Sequence, residues 1–110
     1  RLAKPTATMR KWLEWLSQRT QNAIVARYER GWGTTFTFGS YPQEQAPSYY
    51  SPPFTRGTFY ALQKRGWIQQ AYRSEERHTG STWENGVEVK KFSTLVFWKI
   101  SDKGRKVLES

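Results

Sequence analysis

The sequence predicts an α+β domain in which helices share one core with a β-hairpin. Three observations predict it. Met9, Trp12, Leu13 and Leu16 recur at helical spacing. Residues 52–65 carry a cap, an apolar face and a stop signal in the order a helix needs. Residues 67–73 and 88–100 are rich in β-branched and aromatic types and flank the pair Asn85-Gly86, a tight-turn signal. The 110 residues suit a single domain, 1–110, large enough to bury a core without staples.

Residues 6–30 read as helical, with Thr6 or Thr8 as the cap. Thr20, Ile24 and Tyr28 continue the apolar stripe at spacings of four, so the segment is one long helix or two with a break near Thr20. Gly31 and Gly33 end it. Residues 34–38, "TTFTF", alternate as a short strand with Phe36 and Phe38 on one face. Residues 39–53 crowd Gly, Pro and Ser and read mostly as loop, in which Tyr41, Tyr49 and Tyr50 pack down or face a partner.

The second clear helix spans 52–65. Ser51 is its cap and Pro52 suits its first position. Phe59 and Leu62 form its inner face with Thr55, and Gly66 suits a left-handed stop. Gly57 is unusual there, because glycine inside a helix costs about 1 kcal/mol against alanine. Its missing side chain admits another backbone, either that of a packed helix or a sugar-phosphate chain. In the strand 88–100, Phe92, Val96, Trp98 and Ile100 share one face; Leu95 and Phe97 share the other. Ser101 caps a last short helix that turns Val107 and Leu108 inward.

Composition narrows the function. Eighteen Lys and Arg face nine Asp and Glu, a net charge of +9 that attracts polyanions. Nucleic acid is the first candidate and an anionic membrane surface the second. The absence of cysteine excludes disulfides and cysteine-ligated zinc. No apolar run approaches the ~18 residues of a bilayer span. The chain opens on Arg1 rather than Met, as a trimmed chain would. His78 is the only histidine and Asp102 the only aspartate, and no spacing marks an acid–base pair, nucleophile or phosphate loop. The expectation is therefore a protein that is not an enzyme, needs no cofactor and no metal, and works in the cytoplasm, on the nucleoid if bacterial.

Two segments, "FYALQKRGWI" (59–68) and "FWKISDKGRKVLE" (97–109), give a sharper reading. Leu62, Gly66, Trp67 and Ile68 match a helix end that leads into a hairpin. Trp98, Ile100, Ser101, Gly104, Arg105 and Leu108 match the strand-to-helix step after the hairpin. In this order they resemble the winged helix-turn-helix family of DNA-binding domains, with a MarR-like and PadR-like flavour; "RGTFYAL" (56–62) is similar to the latter. The resemblance covers about residues 51–109. It implies a three-helix core, a β-hairpin wing over 74–87 and a C-terminal helix, with the second helix of the motif inside 20–30 or 42–49.

The function that the resemblance implies is binding of double-stranded DNA by a sequence-specific transcriptional regulator. Helix 52–65 would enter the major groove and the wing would touch the backbone or minor groove. The DNA-contacting residues would be Thr55, Arg56, Gly57, Tyr60, Lys64 and Arg65 on the helix, and Arg73, Arg77, Lys90 and Lys91 on the wing, with Arg77 at its tip. Arg56 can read guanine in bidentate fashion, and Lys64 and Arg65 neutralise phosphates. Glu75, Glu76, Glu84 and Glu88 dilute the wing. Such domains often pair as homodimers through terminal helices, which would employ the Trp-rich first helix. The alternatives are a protein-interaction module using loop 41–53, and a single-strand or RNA binder stacking bases on Tyr49, Tyr50 or Trp83.

Overall fold

A computed structural model describes residues 4–42 and 50–109. Three helices pack on one face of a five-stranded antiparallel sheet.

Helix α1 (Ala7–Gln18) starts where Thr6 Oγ1 accepts from the Met9 amide, at 3.2 Å. It buries Met9, Trp12, Leu13, Trp15 and Leu16. It stops at Gln18, and Asn22 folds back so that its Nδ2 donates to the Trp15 carbonyl at 2.7 Å, tying the next segment to the last turn. From there the chain is extended: β1 (Asn22–Glu29) turns through Gly31 and Gly33, both at positive φ, into β2 (Gly33–Ser40). The expected helix over 20–30 is thus corrected to a strand. Ile24, Ala26 and Tyr28 share the helix-covered face with Phe38, Phe36 and Thr34 opposite them. Of the other place expected for that helix, 42–49, all but Pro42 lies outside the described residues.

Helix α2 (Arg56–Arg65) begins four residues later than expected. Pro53 disfavours the helical region for Pro52, and Phe54 is drawn into an aromatic cluster, stacked on Phe36 at 5.1 Å and 5.0 Å from Trp12. Thr55, not Ser51, is the cap, with its hydroxyl on Thr58 Oγ1. Gly66 ends the helix at φ 72°. Strands β3 (Ile68–Arg73), β4 (Arg77–Glu84) and β5 (Val87–Ile100) come next, then α3 (Asp102–Glu109). The Ser101 hydroxyl accepts from the Gly104 amide at 3.0 Å and donates to the Gly66 carbonyl at 2.6 Å, so one side chain joins the start of α3 to the end of α2.

The strand order is β2-β1-β5-β3, and β4 pairs with β5 on the same edge as β3. Residues 87–92 of β5 pair with β4 alone, so they form a two-stranded arm that helps stretch the molecule to 58 Å. Its tip is Asn85-Gly86, both at positive φ, as a two-residue hairpin turn requires.

The winged-helix expectation is therefore overturned. Among the described residues 44% are strand and 30% helix, and the frame is a sheet rather than a three-helix core. The hairpin β1–β2 stands where the motif needs its second helix, and 77–84 is paired strand rather than a loose wing loop.

Candidate nucleic-acid interface

The outer edge of α2 is built by its own periodicity. Phe59 and Leu62 are buried, which turns Arg56, Tyr60 and Lys64 outward at intervals of four. Tyr60 is 51% exposed, its ring edge-on to Phe59 at 5.4 Å. Arg56 lies over the Phe36 ring at 5.1 Å and donates to the Thr34 carbonyl through one nitrogen. Arg65 donates to Ala61 O at 3.1 Å and lies over Trp67, so it is turned toward the fold. A Cβ built on Gly57 meets nothing within 4 Å. Close helix packing is thereby excluded as the reason for this glycine among the described residues. Thr55 is exposed beside it, and α2 contains no acidic residue.

The remaining expected contacts do not gather on that edge. Lys90 shares a face of the arm with Phe92, whose equivalents farther along β5 face the helices. Arg73 is exposed at the end of β3, opposite Val96. Arg77 is at the base of the arm, opposite Ser93, because strand pairing over 77–84 moves the tip to Asn85-Gly86. Arg77 and Lys91 lie on the opposite sheet face, Lys91 with its ammonium 4.7 Å over Trp32. Arg30 pairs with Glu76 and stacks over Phe92 at 4.7 Å, which keeps Glu76 from opposing the other cations. Trp83, near the tip, is 73% exposed.

The open sheet face holds a site that sequence reasoning missed. A groove of about 320 Å³ is bounded by Arg27, Tyr41, Tyr72, Arg77, Leu95 and Phe97. Tyr41 and Tyr72 stack at 4.7 Å and 10°. Lys99 borders the group, 5.8 Å from the Tyr41 ring, with its ammonium donating to Thr20 O at 2.6 Å. Burial lowers its pKa below the ordinary lysine value. Reading 22–29 as a strand would have placed Arg27 on the face of Phe97 and Leu95, and that signal is present in the alternation of Ile24, Ala26 and Tyr28.

Among the described residues no group of three or more His, Cys, Asp or Glu could hold a metal ion, and no helix is long and apolar enough to cross a membrane. The chain matches no family model, no curated protein and no solved structure.

Proposed function

We propose that this protein binds double-stranded DNA and acts as a sequence-specific transcriptional regulator, with the outer edge of α2 in the major groove and the β4–β5 arm along the flanking backbone. The observation that carries this reading is the edge itself: Arg56, Gly57, Tyr60 and Lys64 are exposed on one acid-free helix, with open space over the glycine. Such a surface lets a sugar-phosphate backbone approach closely while cations sit on either side. A helix of ten residues is about 15 Å long and fits a groove about 12 Å wide. The charge of +9 supplies the long-range attraction.

Each side chain has a separate task. Arg56 keeps donors free beyond the one spent on Thr34, and a guanidinium can grip the O6 and N7 edge of guanine. Tyr60 offers a hydroxyl to phosphate or a ring to a thymine methyl. Lys64 neutralises phosphate. The arm adds Lys90 on the helix side.

The test is selection of bound sites from random duplexes, then fluorescence anisotropy on the selected duplex. Arg56→Ala should relax preference at one base position, a discrimination of about 1–3 kcal/mol. Selection that returns no enriched sequence, with affinity unchanged in Arg56→Ala plus Lys64→Ala, would reject the reading.

A further inference from the structure

We propose that the open face of the sheet is a second site, which binds a single DNA strand. Among the described residues no helix covers this face, and it carries both cations and rings. Along β5 the outward residues are Lys91, Ser93, Leu95, Phe97 and Lys99, spanning about 27 Å of extended chain. Lys91 stacks with half-exposed Trp32 at one end. Arg27 and Arg77 flank Ser93 and Leu95. Tyr72 and Tyr41 stack beside Phe97, and Lys99 closes the row.

The charge pattern selects the occupant. Four cations, Arg27, Arg77, Lys91 and Lys99, face two carboxylates, Glu29 opposite Ser93 and Glu84 opposite Val87 near the tip of the arm. Neither Arg27 nor Arg77 forms an ion pair among the described residues. A protein surface with an apolar core would not need this excess, whereas a strand of phosphates would. The rings suit bases whose faces are bare. Tyr72 is 39% exposed and borders the groove with Leu95, above buried Phe97, so an unpaired base can lie against Tyr72 and Leu95 while its phosphates reach Arg27 and Arg77. In a duplex the bases are stacked on one another and cannot reach such a surface. The face is separate from α2, whose cations lie on the helix layer.

The experiment measures anisotropy of labelled oligothymidine of about 12 nucleotides, a duplex of the same length, and oligouridine. The variants are Tyr72→Ala, Tyr72→Phe, Arg27→Ala plus Arg77→Ala, and Tyr60→Ala plus Lys64→Ala, each checked for an unchanged melting temperature. Tyr72→Ala should weaken oligothymidine binding about ten-fold and Tyr72→Phe should restore it, since stacking uses the ring and not the hydroxyl. The paired arginine change should weaken the single strand more than the duplex. The α2 variant should do the reverse. Loss of duplex binding alone in the α2 variant, or absence of duplex binding in the parent, leaves this site standing and bears only on the α2 reading. Oligothymidine affinity untouched by the Tyr72 and arginine changes would overturn the proposal, as would tighter binding of oligouridine.

Discussion

Two glycines carry opposite information. A Cβ on Gly104 would stand 2.2 Å from the Trp67 carbonyl and 2.9 Å from Ile100, so α3 can approach β3 and β5 only because that position is bare. Gly104→Ala should destabilise the fold by about 3 kcal/mol, read from urea unfolding. Gly57 meets nothing. Alanine there should stabilise α2 by about 1 kcal/mol, through helix propensity. If DNA lies against that edge, Gly57→Ala also weakens duplex binding while raising the melting temperature. A gain in stability with unchanged affinity would separate the glycine from function. Both glycines stand in the sequence, but only the three-dimensional surroundings tell the buried one from the bare one.

At the scale of elements, α2, β3 and α3 are legible because their signals are local. Gly66 must take φ 72°, and Ser101 must cap α3. Ser101→Ala removes a cap and a link to α2 at once, and should cost about 2 kcal/mol in thermal or urea unfolding. The segment 22–29 is not legible in the same way. Ile24 and Tyr28 are four apart, a spacing that puts residues on one face of a helix and equally on one face of a strand. The deciding contacts are tertiary: Asn22 is tied back to the last turn of α1, and Phe36 and Phe38 wait across β2 to pair with Ala26 and Ile24. A helical reading of that segment also hides Arg27, and with it the groove. The start of α2 is hard to read for a related reason, since Ser51 and Pro52 make a good local signal that the packing of Phe54 overrides. On α2 itself the candidate contact residues emerge from periodicity, and Lys64→Ala should lower the magnitude of the salt slope of duplex binding by about 1 while leaving base preference intact.

At the scale of the molecule, the charge of +9 is legible in composition, but its division between two faces is not. The sheet separates the cations of α2 from Arg27, Arg77, Lys91 and Lys99. Winged-helix-like segments at 59–68 and 97–109 therefore sit within a different frame, which changes the surfaces they present. With about five phosphates neutralised, log affinity for a duplex should fall against log salt with a slope of about −4.5. The most direct measurement of the central claim is a ¹H–¹⁵N spectrum of the protein titrated with the duplex that selection returns. The α2 reading predicts that the amides of Arg56 to Lys64 move first and farthest. Movement confined to the open sheet face, with α2 silent, would contradict it.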